Sequence, residues 1–197
     1  MTFDDEFQVV QKRYASVKPL IEALSPKRRL HIDGCVRYAH RLALRHHVDP
    51  VAAITVAWLH DLFREISSDE ILEMAVAEGM EPTDFETSYP KVLHGKVAAF
   101  YLRNQDLIMD PELLDAISKH TLADRDMSPL AMLLYITDAL EETRDYVGVE
   151  DLRVFVETHD LEDSYKQVLK RQIIDMVAKD KVLAACTIDG YNQMEER

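Results

Sequence analysis

Residues 57–63 read AWLHDLF, and their reading decides how the rest of the chain is understood. Alanine, tryptophan, leucine and phenylalanine suit a buried helix. His60 and Asp61 in their midst do not, because a core rarely accepts two adjacent titratable groups without partners. The pair is either a satisfied polar contact or two ligands of one metal ion. Adjacent residues on a straight helix point about 100° apart, so joint coordination needs a helix end or a kink. Such an end is close by. Arg64, Glu65 and Ile66 precede Ser67, which forms a capping box with Glu70 and opens a fresh helix.

Working outward, the same helical punctuation recurs. Four good N-cap residues precede proline: Ser25-Pro26, Asp49-Pro50, Asp110-Pro111 and Ser128-Pro129. The cap oxygen accepts from free backbone N–H groups, and proline at the first helical position gives up no hydrogen bond. Apolar residues recur three and four apart, as in Phe3, Phe7, Val10, Tyr14 and Val17. A second stripe holds Leu113, Ala116, Ile117 and His120, and a third Leu130, Leu133, Leu134 and Asp138. No stretch alternates as a strand would. The pattern predicts an all-α protein with helices near 3–18, 26–47, 50–64, 68–78, 91–104, 111–121, 129–146, 150–158 and 161–195, the last broken. Gly79 is expected to end the helix that Ser67 opens, with loops over 79–90 and 121–128.

Composition sets the limits. The 197 residues are 47% hydrophobic, with only 5 Gly and 7 Pro, which suits one domain with a sizeable core and little linker. The 23 Lys+Arg against 36 Asp+Glu give a net charge of −13, a surface that repels nucleic acid. Cys35 and Cys186 form no CxxC or disulfide pattern. No segment approaches the ~18–20 apolar residues of a membrane span. The opening MTFDDEFQVV is acidic and unlike a signal peptide, so a cytoplasmic protein is expected.

Of eight histidines, His31, His60, His94 and His120 lie on or beside apolar helical faces, as do Asp61 and Asp138. Imidazole nitrogens and carboxylate oxygens suit iron, manganese, zinc or nickel. A helical bundle can gather such ligands from facing helices, and a cation lets buried carboxylates stay ionised. Taken singly, each histidine reads as a core or surface residue. Cys35, one turn after His31, reads as a small buried apolar residue. His40, His46, His47 and His159 are assigned to surfaces.

In order, His31…His60-Asp61…Asp138 resembles the HD superfamily of metal-dependent phosphohydrolases. The blocks VLHGKVAA (92–99), ISKHTLADRDM (117–127), YITDALEETRDYVGVEDLR (135–153) and TIDGYNQM (187–194) are similar to the YqeK-like family within it. Those are bacterial symmetrical diadenosine-tetraphosphate hydrolases. The resemblance implies an HD core over 26–160, preceded by a helical extension over 1–25 and followed by a helical appendage over 161–197. It implies His31, His60, Asp61 and Asp138 as metal ligands, with iron or another transition metal such as manganese, as one or two ions. His94 and His120 would face the phosphates, and Arg64 and Arg144 would contact them. Asp126 and Met127 would line the nucleotide side. A homodimer and a nucleotide substrate complete the expectation.

Two positions depart from the family pattern. The family usually has lysine where this chain has Arg64 and proline where it has Glu142. Arg64 keeps the charge and can bind phosphate in two-pronged fashion. The chemistry agrees with the residues taken alone. A coordinated cation brings water to a pKa near ~7 and polarises a phosphoryl oxygen. Asp61 can bridge or orient, His94 or His120 can move a proton, and Arg144 can balance developing charge. Two alternatives stand beside this reading: an HD hydrolase of another nucleotide such as a monophosphate, and a non-catalytic nucleotide sensor with a structural metal.

Overall fold

The helix starts marked in the sequence carry their caps in the computed structural model of the protein, which describes residues 2–196. Ser25 accepts from the Arg28 N–H, Asp49 from Val51 and Ala52, Asp110 from Glu112, and Ser128 from Ala131. The Ser67–Glu70 capping box is closed in both directions. Gly79 follows the same helix at φ 84°, a left-handed turn that glycine adopts at low cost.

The helices are α1 (Phe3–Arg13), α2 (Lys18–Ala23), α3 (Pro26–His46), α4 (Pro50–Leu59), α5 (Ser68–Ala77) and α6 (Asp84–Ser88). There follow α7 (His94–Asn104), α8 (Pro111–Lys119), α9 (Pro129–Leu140), α10 (Val149–Val156), α11 (Leu161–Ala178) and α12 (Ala185–Glu195). No strand occurs among the described residues, and no helix is long and apolar enough to cross a membrane. Met1 and Arg197, the outer limits of the two expected terminal segments, lie outside the described residues.

The core forms around α9 and α4, which are apolar on nearly every side and are therefore enclosed. Residues 130–137 of α9 and 53–59 of α4 are all buried. Helix α9 packs against α3, α4, α8 and α11, and α3 lies along α4. The last two helices close over one side. The rings of Tyr135 on α9 and Tyr165 on α11 meet edge to face at 5.4 Å, and the Tyr135 hydroxyl donates to Gln172.

Several boundaries differ from expectation, each with a local cause. The first helix stops at Arg13, and a 3₁₀ turn over Ala15–Val17 leads into α2. The 79–90 loop contains α6, which Thr83 and Glu86 cap reciprocally. Helix α9 ends at Leu140 because Glu141 turns extended (φ −54°, ψ 162°) and uses its carboxylate on Thr143. Arg153 of α10 then donates to the carbonyls of Leu140, Glu141 and Arg144, satisfying the end of α9. The final helix breaks at 179–184 as expected. His40 is a correction. It is half-buried, lies 3.0 Å from Glu6 and packs edge-on against Phe3, because α1 covers that part of α3.

Candidate metal centre

Helix α4 unwinds after Leu59, so His60 and Asp61 occupy its C-cap and the following turn. This allows both side chains to face one centre. The His60 ring donates from Nδ1 to the Ala57 carbonyl at 2.8 Å. His94, first residue of α7, does the same to Lys91 (2.7 Å), and His120, at the end of α8, to Ile117 (2.7 Å). Each ring is thus tethered to the carbonyl three residues earlier, which fixes its tautomer and turns Nε2 inward. His31 is oriented differently. Its Nδ1 donates to Glu141 Oε1 at 2.9 Å, a carboxylate–histidine pair of the kind that supports metal ligands.

Asp61 lies at the meeting point and shows a different oxygen to each side. Its Oδ2 is 3.5 Å from Nε2 of both His31 and His60. Its Oδ1 is 3.1 Å from His94 Nε2 and 3.9 Å from His120 Nε2. Asp138 Oδ1 completes the first side, 3.1 Å from His31 Nε2 and 3.8 Å from His60 Nε2. The centre therefore has two lobes sharing one carboxylate.

These donors fit a cation. His60 Nε2 is buried and has no aligned hydrogen-bond partner among the described residues. The Nε2 atoms of His94 and His120 face each other at 3.0 Å. With both Nδ1 protons spent on carbonyls, two lone pairs meet there, which is unfavourable unless a positive charge stands near them. HD domains bind divalent metals, and this set of imidazoles and carboxylates suits such ions.

Electrostatics agree. Burial works against ionisation of Asp61, but the His60 ring and the contacts from His31 and His94 hold its carboxyl well below the usual carboxylate range. Asp138 is lowered likewise, against burial, by His31 and the Arg144 guanidinium. Burial disfavours the charged form of His31, yet its contacts with Asp138 and Asp61 raise its pKa. Burial, with the neighbouring His94 and His60, lowers His120 to about 3 and keeps it neutral. Cys35 Sγ lies 3.6 Å from His31 Nε2 and within reach of the same point as His60 and Asp138, while burial pushes its thiol up to about 12.

Arginines flank the two acids. Arg144 donates to Asp138 Oδ1 at 2.6 Å and to the Asp138 carbonyl at 2.7 Å. Arg28, one turn before His31, donates to Asp61 Oδ2. Arg64 is half-buried beyond the His60-Asp61 turn, and its guanidinium has no hydrogen bond or ion pair among the described residues. Glu142 is exposed. Asp126 is instead paired with Gln193 of α12, and Met127 lines a cleft with His46, His47 and His159. Lys96 pairs with Glu86 at 2.6 Å.

Sequence reasoning missed Glu141, Arg28, Arg153 and two glycines. A Cβ on Gly34 would stand 2.2 Å from Glu141 Oε2, so only glycine lets that carboxylate reach His31. A Cβ on Gly95 would stand 2.6 Å from the Ile117 carbonyl and 2.8 Å from the His120 ring. A glycine one turn from a proposed ligand, or next to one, was the available signal.

Helix ends that bring histidines and acids around a common point define a class: the helical metal-binding HD proteins. The chain belongs to the HD domain family, which matches residues 28–143. It is similar to the symmetrical bis(5'-nucleosyl)-tetraphosphatase of Bacillus subtilis, 28% identical over 171 residues, covering 87% of this chain and 91% of that one. The enzyme of the same name from Staphylococcus aureus is 32% identical over 111 residues, 54% of this chain and 57% of that one. In structure the chain resembles a "predicted HD superfamily hydrolase involved in NAD metabolism" from Clostridium acetobutylicum. The TM-score is 0.83 at 26% identity, over 100% of this chain and 98% of the other.

Proposed function

We propose that the protein is a divalent-metal hydrolase of dinucleoside polyphosphates that splits diadenosine tetraphosphate symmetrically into two ADP. The carrying observation is Asp61 held between two sets of inward-facing imidazoles. The names of the Bacillus and Staphylococcus relatives agree with it. His31, His60, Asp61 and Asp138 would hold the ion, with His94 and His120 as donors to a second one. Iron is the proposed metal, as the family resemblance implies, and the mixed imidazole and carboxylate donors are compatible with it.

A bound divalent cation supplies Lewis acidity and a water of lowered pKa. The chain's own residues do the rest. Arg144, fixed on the Asp138 carbonyl, retains donors for a phosphoryl oxygen. Arg64 offers an unengaged guanidinium beside the His60-Asp61 turn, and Arg28 donates to Asp61 Oδ2. Where a single ion is bound, His94 and His120, tethered through Nδ1, can accept or return a proton at Nε2. Asp126 and Met127 have no part in this reading.

Two further features belong to it. Cys35 and Cys186 are free thiols, in keeping with a reducing cytoplasmic setting. Exposed Val154, Ile174, Val177 and Val182 leave apolar surface for a second copy, and sedimentation velocity tests that homodimer.

The central test pairs elemental analysis of anaerobically purified protein with product analysis. Two ADP per diadenosine tetraphosphate are expected, with slower turnover of a mononucleotide panel. Release of AMP and ATP, or preference for a mononucleotide, overturns the proposed substrate. His60→Ala and Asp61→Ala are expected to lose the bound metal and most turnover. Unchanged metal content and rate in both variants rejects the site.

A further inference from the structure

A cleft of about 710 Å³ lies on the α11 side of the centre and shares Asp138 with it. Asp138 and Arg144 form one part of its wall, Tyr146 and Val147 another, and Arg171 of α11 and Lys179 just after that helix a third. Its volume is in the range of small-molecule sites. In a chain of net charge −13 its lining is locally basic, with Arg144, Arg171 and Lys179 against Asp138 and Asp175. Arg171 donates through one nitrogen to the Val147 carbonyl at 2.7 Å, which steadies its guanidinium. The other guanidinium donors have no hydrogen bond among the described residues. Among the described residues Lys179 pairs only with exposed Asp175, one turn earlier. Tyr146 anchors its hydroxyl on the Ala139 carbonyl at 3.1 Å and keeps part of its ring exposed.

We propose that this cleft seats the second nucleotide of the dinucleotide, which makes α11 a determinant of substrate specificity. The inference rests on the function proposed above. Symmetrical cleavage leaves an ADP unit on each side of the broken bond, so a complete site has two nucleotide seats that meet at the metal. Arg171 and Lys179 meet the phosphates of the departing unit, and the Tyr146 face offers its base a stacking surface. A mononucleotide has no second half to place there, so the cleft favours the longer substrate.

Three single variants test this on the metal-loaded, full-length protein with diadenosine tetraphosphate. Lys179→Glu reverses a cleft charge. Val147→Glu adds one at a side chain 88% exposed, where packing is unaffected. Val76→Glu, at an exposed position of α5 outside the cleft, adds the same charge elsewhere. The two cleft variants are expected to raise KM about fivefold, through charge repulsion of the polyphosphate. The effect falls on KM more than on kcat, and Val76→Glu keeps the wild-type KM. If the cleft variants behave as Val76→Glu does while wild type releases ADP, the inference is overturned and the hydrolase reading stands. If wild type releases no ADP at all, the hydrolase reading fails and takes the inference with it.

Discussion

At the scale of single residues, function depends on side chains that touch no substrate. Glu141 is fully buried, orients His31, and accepts from the Thr143 N–H. Glu141→Gln keeps the shape but removes the charge, and is expected to weaken metal affinity about 10- to 100-fold, read by chelator competition. Gly95, the second residue of α7, lets α8 approach closely. Gly95→Ala forces a methyl against the Ile117 carbonyl, and is expected to cost about 1–3 kcal/mol in urea unfolding and to displace His120. The candidate ligands were legible as a group because histidines and acids on apolar helical faces are anomalies that demand a reason. Glu141 and Arg28 were not. Each is one charge among many in the sequence, and its role arises only when a turn aims it at a distant residue. Asp126 and Met127 show the opposite limit: their positions were readable, but their neighbours depend on how α12 and α10 return to the core.

Among the helices, starts were easier to read than stops. A start is written locally, by a cap and a proline, whereas α4 and α9 stop where a side chain is claimed by a distant partner. Helix α6 was hidden because five residues hold too few apolar positions to show a period. It carries Glu86, bound to Lys96 and to Thr83. Burial works against ionisation of Glu86, but Lys96 and Thr83 together lower its pKa below 4.5. Its stabilisation is therefore present above that value and lost as pH falls through the folded-state pKa. Glu86→Gln is expected to lower the melting temperature at neutral pH. The gap to wild type should close on acidification through that pKa. A gap independent of pH would contradict the assignment.

Over the whole molecule, the proposed ligands come from α3, the end of α4 and α9, with two further imidazoles from α7 and α8, so an ion held by the first four would join three segments of one core and a second ion would bring in two more. An ion that binds only the folded state stabilises it by mass action, about 2.7 kcal/mol at a hundred times its dissociation constant. For a chain of this size that is roughly 5–10 °C of melting temperature. Calorimetry before and after chelation, with manganese added back, measures it. The tethers on His60, His94 and His120 carry a last consequence. Since the rings are already aimed by their own backbone carbonyls, uptake of an ion would leave the ends of α4 and α8 and the start of α7 where they stand.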